Sequence, residues 1–402
     1  MKKESVSVPV PRFELLDGLR GVAALAVLVY HIFEAVAFSQ NLEIERMAQM
    51  AGVEPQLVDQ HFFHGFLAVD FFFILSGFVM GYAYDGRWKK MSVGQFFCRR
   101  LIRLHPMVVA GTLVGVVAFC LQGCVKWDGT QVSLSVLMLG TLLTLFVLPS
   151  PTALDVRGNT ESFPLNGPFW SLFFEYVGSL LYALMLRRMS TKWLKGWVLV
   201  AFVLLLLMGT WGPDGSVAMG WSSHPLNMLG GLLRMTFAYP AGLLLARLYR
   251  EREFNGSAAS SRFKLRLSPG LFFLLASVVL TGLMGMPNVG WLNPYYEVCC
   301  IAFVFTAIVW ITARQSAGKS ASNGFVGYIG RLSYPLYACH YPLIYLYIDW
   351  INRDVHPFGN QAWSSPIAIF VSAIGLGTFF LLCYDEPLRR YLQKKNTKEI
   401  NL

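Results

Sequence analysis

Charge is scarce in this chain. Asp, Glu, Lys and Arg make up 14% of its 402 residues, hydrophobic residues make up 55%, and the mean hydropathy is +0.50. A soluble domain carries about a quarter charged residues, so a water-soluble globule of this length is excluded. No polar stretch is long enough to form a separate soluble domain. The seven cysteines have no metal-ligand spacing and read as small apolar fillers, so no metal site is expected. A cleavable leader is not expected either. The segment MKKESVSVPVPR is basic, but the apolar run after Gly18 is too long and lacks a small-residue cleavage site. Half-to-half repeats, the mark of many transporter folds, are not evident. The net charge of +10 falls in short clusters between apolar runs, as in the cytoplasmic loops of polytopic proteins. The expected partner is therefore the lipid bilayer and not nucleic acid.

What is abundant is apolar length. Runs long enough to cross a membrane fall near 19–38, 66–84, 105–122, 168–186, 193–211, 226–246, 270–286, 295–313, 332–348 and 366–384, with a shorter one at 133–148. Basic residues gather at Lys2/Lys3/Arg12, Arg87–Arg103, Arg187–Lys195, Arg247–Arg266, Arg314–Arg331 and Arg389–Lys395. If every run crossed, Arg187 and Arg188 would face outward, against the positive-inside rule. Removing 133–148 as a crossing repairs every later loop. The expectation is an all-α polytopic membrane protein of about ten transmembrane helices, with 133–148 a re-entrant or half-crossing element and both termini cytoplasmic. Residues 1–18 form a cytoplasmic segment, 19–388 the membrane domain and 389–402 a cytoplasmic tail.

Charges inside such spans are costly, by about 2.5 kcal/mol or more, and usually face a polar interior. Arg20 and His31 lie eleven residues apart on the first span, roughly 16 Å along a helix, which puts an imidazole near mid-membrane. Depth counting puts Glu175, Arg234 and His340 in the same layer on three further spans, with Asp70 a little nearer the outer surface. A buried polar chamber at mid-depth follows. On the inner side, Arg100 and Arg103 share a helix face and, with Arg20, suit a polyphosphate, because the planar guanidinium fork matches phosphate geometry. His61 and His64 read as markers of the outer interface.

These residues fall in motifs. LDGLRGVAALAVLVYH holds Arg20 and His31, LAVDFFFILSGFVMG holds Asp70 and Ser76, and RRLIRLHP holds Arg100 and Arg103. NGPFWSLFFEY holds Trp170, Ser171 and Glu175, IGRLSYPLYACHYPLI holds Ser333 and His340, and YDEPLRR closes the series with Glu386 and Pro387. In this order the chain resembles the membrane-bound acyltransferase 3 family, whose bacterial members O-acylate cell-surface polysaccharides. Two positions depart from the family pattern: Tyr176 follows Glu175 where a second carboxylate is common, and His105 stands where Tyr is common. The chain also ends soon after its last span, so no fused extracytoplasmic domain is expected.

The resemblance implies an O-acyltransferase of the cell membrane, specifically the bacterial cytoplasmic membrane. Acyl-CoA, by default acetyl-CoA, is then a co-substrate rather than a bound cofactor, and the acceptor is a carbohydrate or glycolipid. Arg20, Arg100 and Arg103 would hold the donor phosphates. His31 would act as general base or as a transient acyl carrier. Glu175 would orient His31 or hold the acceptor, and Glu34, one turn beyond His31, competes for that task. Arg234 would stabilise an oxyanion, with Asp70, Ser333 and His340 in supporting roles. Acceptor contacts would come from the outer loops 39–63, 149–167 and 349–365, which carry no sugar-binding signature. The rival class is a transporter or flippase using the charged layer as a substrate or proton path.

Overall fold

The computed structural model describes residues 13–59, 63–254, 267–316, 324–352 and 364–400. Among them there is no strand, only isolated backbone bridges. The helices are α1 (Glu14–Ala51), α2 (Ala68–Tyr84), α3 (Val93–Leu121), α4 (Leu134–Leu145), α5 (Phe169–Leu184), α6 (Thr191–Trp211) and α7 (Pro225–Phe254). There follow α8 (Pro269–Met284), α9 (Asn293–Cys299), α10 (Thr306–Ser316), α11 (Phe325–Cys339), α12 (Tyr341–Ile351), α13 (Ser364–Phe380) and α14 (Glu386–Ile400). A π-helical turn, Cys300–Phe305, fuses α9 to α10, and another, Leu381–Asp385, fuses α13 to α14.

Eight helical stretches are long and apolar enough to cross a membrane, and α4 and α8 are shorter apolar helices. Their outer faces are apolar, as lipid contact requires. The rim helix α6, packed against α7 and α9, carries Trp193 and Trp211 near its two ends, 71% and 83% exposed, which is the aromatic-belt arrangement of a bilayer crossing. The segment expected to half-cross is α4, 12 residues or about 18 Å long. The run 332–348, expected as one span, is instead two helices broken at His340. Pro342 lacks the N–H needed to continue the ladder, and His340 sits in the bend between α11 and α12. The segment 389–402, expected as a tail, continues α14 as far as Ile400. Of the two outer histidines, His61 lies outside the described residues. His64 is not at the surface: it is 1% exposed, with Nδ1 2.8 Å from the Met286 carbonyl and Nε2 3.5 Å from Glu297.

Two glycine-lined seams set the geometry that matters for function. A Cβ on Gly77 of α2 would meet the Tyr239 carbonyl at 1.9 Å, and one on Gly242 of α7 would meet the Ile74 carbonyl at 1.9 Å. Helices approach this closely only where side chains are absent. Gly21 of α1 and Gly330 of α11 do the same, with would-be Cβ contacts of 2.4 Å to Ile329 and 2.7 Å to Asp17. The first seam brings Asp70 of α2 against Arg234 of α7. The second brings Arg20 against the start of α11 and, three turns higher, His31 against His340.

Candidate active site

Two cavities lie along α1, and both have Val69 and Tyr337 in their walls. The larger, about 780 Å³, is lined by Arg20, Arg99, Arg100, Arg103, Arg331 and Arg389 among others. Phe13 near the start of α1 and Gln393 in α14 both border it, so the two ends of the described chain meet on one face. Arg20 is held by Ser333 and the Gly330 carbonyl at 2.9 and 3.0 Å, and its other neighbour is Asp17 at 3.5 Å. Ser333 in turn donates to the Gly330 carbonyl at 2.7 Å. Arg100 donates to Glu175 at 2.5 Å, Ser76 donates to the same carboxylate oxygen at 2.8 Å, and Arg100 Nε is buried without a partner. An excess of guanidinium over carboxylate in a roomy cleft is the composition that binds a polyphosphate.

The smaller cavity, about 90 Å³, holds His31 and Glu34 with an aromatic surround that includes Trp127, Trp170, Trp221, Tyr341 and Tyr345. Glu34 lies 2.7 Å from His31 Nδ1. An ionised carboxylate can only accept, so this contact puts the ring proton on Nδ1 and the lone pair on Nε2. His340 stacks on His31 with ring centroids 5.3 Å apart, and Tyr341 packs edge-on at 4.7 Å. His340 Nδ1 lies 2.9 and 3.1 Å from carbonyls of its own helix, leaving Nε2 buried without a partner.

The single layer expected from depth is therefore split. Glu175 does not line the His31 chamber; it pairs directly with Arg100 in the wall of the arginine cavity, one turn along α5 from Ser171. The partner of His31 is Glu34, three residues along the same helix. Arg234 lines the chamber wall, and four of its five N–H groups are engaged by protein acceptors. It grips both oxygens of Asp70 at 3.1 and 2.6 Å and donates to the carbonyls of Met219 and Phe66 at 2.8 and 2.9 Å. With both partners buried and the carboxylate fully engaged, this pair braces α2 against α7 and the turn before α2, which leaves Arg234 one Nη1 N–H for any oxyanion. Asp70 shares that bracing role.

A family model described as an acyltransferase domain, Acyl_transf_3, matches residues 13–383. The chain belongs to the acyltransferase 3 family. It is 32% identical over 192 residues to Protein 2 in picA locus of Rhizobium radiobacter, covering 46% of this chain and 87% of that protein. It is also 32% identical over 184 residues to Acyltransferase MdmB of Streptomyces mycarofaciens, covering 44% of this chain and 40% of that protein. No solved structure matches it significantly. A family model across nearly the whole helical bundle makes the protein a multi-pass membrane enzyme that transfers an acyl group.

This acyltransferase also carries groups that the sequence did not single out. Arg331 and Arg389 join the arginine cavity from α11 and α14, and from α12 Tyr341 packs on His31 while Tyr345 lines the same chamber behind it. The 150–167 segment folds inward. Arg157, 2% exposed, sits 3.4 Å from the Tyr345 ring centroid and donates to Gln122 and the Pro164 carbonyl at 2.9 and 2.7 Å. Glu161 is 7% exposed and accepts from the Tyr345 hydroxyl. One signal was available for this segment: an arginine in a loop expected on the outer side breaks the positive-inside pattern and asks for a buried partner.

Proposed function

We propose that the enzyme moves an acyl group, acetyl by family resemblance, from cytoplasmic acyl-CoA to a hydroxyl of a cell-surface carbohydrate or glycolipid. Ten crossings fit this reading: the eight long stretches, α8, and the α11–α12 pair taken together. Both termini are then cytoplasmic and the membrane is the bacterial cytoplasmic one. A single observation carries the proposal. One helix, α1, delivers Arg20 to an arginine-lined cavity and, eleven residues on, delivers His31 with Nδ1 engaged and Nε2 available to a second cavity.

The donor's phosphates sit in the lower cavity, where Arg20, Arg99 and Arg103 supply charge and Arg100 can exchange Glu175 for a phosphate oxygen. The pantetheine arm rises roughly 16 Å past Val69 and Tyr337, which brings the thioester carbonyl to His31. There Nε2 takes the acceptor hydroxyl's proton as its oxygen attacks the carbonyl carbon. The new C–O bond forms, the C–S bond breaks, and the departing thiolate takes the proton from the imidazolium. Glu34 holds the productive tautomer and steadies the transient positive ring. The same geometry serves an acyl group carried briefly on Nε2. Base catalysis of this kind is worth about 10²–10⁴-fold.

The test is acetyl-CoA binding and CoA release by the purified protein. His31→Ala is expected to bind the donor and release no CoA. Arg20→Ala/Arg103→Ala is expected to lose binding. A wild-type protein that neither binds acetyl-CoA nor frees CoA would overturn the donor assignment.

A further inference from the structure

The chamber around His31 has a second polar wall for which the transfer step has no use. Residues 160–162 pair with 221–223: Ser162 N–H donates to the Trp221 carbonyl at 2.9 Å, and Ser223 N–H donates to the Thr160 carbonyl at 2.8 Å. That pairing turns Glu161 and Trp221 into the same chamber as His31. The Glu161 carboxyl is fixed by the Tyr345 hydroxyl and by the Asn159 side chain. Tyr345 is itself locked, by Arg157 over its ring and by Gln122 donating to its carbonyl at 2.9 Å. Two aromatic steps link the carboxyl to the imidazole: the Tyr345 and Tyr341 rings are 4.8 Å apart, and Tyr341 lies 4.7 Å from His31. Trp127 completes the wall, and its buried indole N–H has no hydrogen-bond partner.

A buried donor left unpaired is costly and asks for an explanation. A buried carboxyl reaching the chamber beside it asks for the same one. Burial pushes the Glu161 carboxyl up to about 8, toward the protonated form that donates as well as accepts. Indole faces, a carboxyl, an amide and a spare N–H around one hollow are the chemistry that holds a polyhydroxylated ring: C–H faces lie on the aromatics and hydroxyls find polar partners. A simple alkanol would satisfy His31 alone and leave the opposite wall unpaired, and such sites reject the ligand that lacks the hydroxyl.

We propose that Glu161, with Asn159 and Trp127 beside it, is the acceptor-recognition site. It holds a hydroxyl adjacent to the one being acylated, so that a vicinal diol of a carbohydrate is presented to His31. This rests on the acyl-transfer reading above and supplies its acceptor side. Glu161 binds and orients; it moves no proton in the transfer.

Two readouts separate this site from the donor side. One is CoA release from acetyl-CoA by purified protein with no acceptor added. The other is base-labile acetyl ester on envelope carbohydrate of cells that carry the gene naturally, with the chromosomal copy replaced by each variant. Glu161→Ala is expected to lower ester at least tenfold while CoA release stays within twofold of wild type. Glu161→Gln keeps the shape and both hydrogen-bonding roles and is expected to stay within threefold in both assays. Tyr345→Phe, which keeps the ring and removes the hydroxyl, is expected to lower ester about threefold to fivefold; it decides the matter if Glu161→Ala protein does not accumulate. Unchanged ester in Glu161→Ala and Tyr345→Phe would overturn the proposal. So would equal losses of CoA release and ester in Glu161→Ala and Glu161→Gln. If deleting the gene leaves the ester content unchanged, the carbohydrate reading fails and this site falls with it, a pattern distinct from a defect confined to Glu161.

Discussion

Two buried arginine–carboxylate pairs, Arg234–Asp70 and Arg100–Glu175, look alike in the sequence and differ in the fold. The first is closed: both side chains are about 1% exposed or less, both carboxylate oxygens are bonded to the guanidinium, and two carbonyls absorb further N–H groups. The second is open. One nitrogen meets one oxygen, Nε has no partner, Glu175 is 14% exposed, and the pair borders the large arginine cavity. A closed pair has little left to offer a ligand and fixes helices against one another. An open pair beside a cavity can change partners, which is what an anionic substrate requires of an arginine. Bonding capacity left over beside empty volume, more than residue type or depth, separates scaffold from site here.

The largest expected effect breaks the closed pair. Arg234→Met leaves Asp70 buried without its counter-ion, and removing one member of a buried pair costs about 3–5 kcal/mol. The thermal unfolding midpoint in detergent should fall sharply, with little folded protein recovered. Equal stability to wild type would show that the pair is not a brace. Next in size is the His31 orienter. Glu34→Gln keeps a hydrogen-bond acceptor for Nδ1 and removes the charge that steadies the imidazolium. Turnover should fall about 10²-fold, the lower end of what positioned base catalysis contributes, with acetyl-CoA affinity unchanged. Measuring donor affinity and turnover on the same preparation checks both halves.

The open pair should respond in the opposite sense to the closed one. On the proposed donor reading, Glu175→Gln removes the carboxylate that would compete with a phosphate for Arg100. Acetyl-CoA binding should tighten by roughly fivefold, on the order of 1 kcal/mol, and the unfolding midpoint should fall by less than in Arg234→Met, because this pair borders a cavity. Weaker binding, or turnover collapsing with binding intact, would return Glu175 to a catalytic role.

Much of this architecture was legible from residues alone, because the bilayer imposes one-dimensional rules. Apolar length marked most of the helices, and the short 133–148 run stood out by its conflict with Arg187 and Arg188. Depth counting located His31 correctly relative to Arg20 because both ride one continuous helix. It failed for Glu175 because depth says nothing about azimuth: α5 turns Trp170 toward the His31 chamber and Glu175, more than a turn later, toward Arg100. The break at His340 was hidden inside an unbroken apolar run, with Pro342 the only clue. Glu161 was hidden, and Arg157 showed only as a lone arginine in its loop, for a different reason. Their partners Tyr345 and Gln122 are distant in sequence, and no periodicity connects an irregular segment to them.

The smallest expected effect concerns Ser333, which sits between the two kinds of behaviour. It accepts from Arg20 Nε and passes its own proton to the Gly330 carbonyl, the same carbonyl that Arg20 Nη2 reaches directly. Ser333→Ala therefore removes one of two anchors on Arg20 and leaves the other in place beside Asp17. A single hydrogen bond contributes about 0.5–1.5 kcal/mol net, so acetyl-CoA affinity should weaken by no more than about tenfold and turnover at saturation should hold. If instead Ser333→Ala abolishes binding, Arg20 has no independent hold at Gly330, and the serine belongs with the open groups of the donor cavity rather than with its frame. Titrating acetyl-CoA against Ser333→Ala and Arg20→Ala side by side distinguishes the two, because a frame residue yields a fraction of the arginine's effect and a ligand-binding one approaches it.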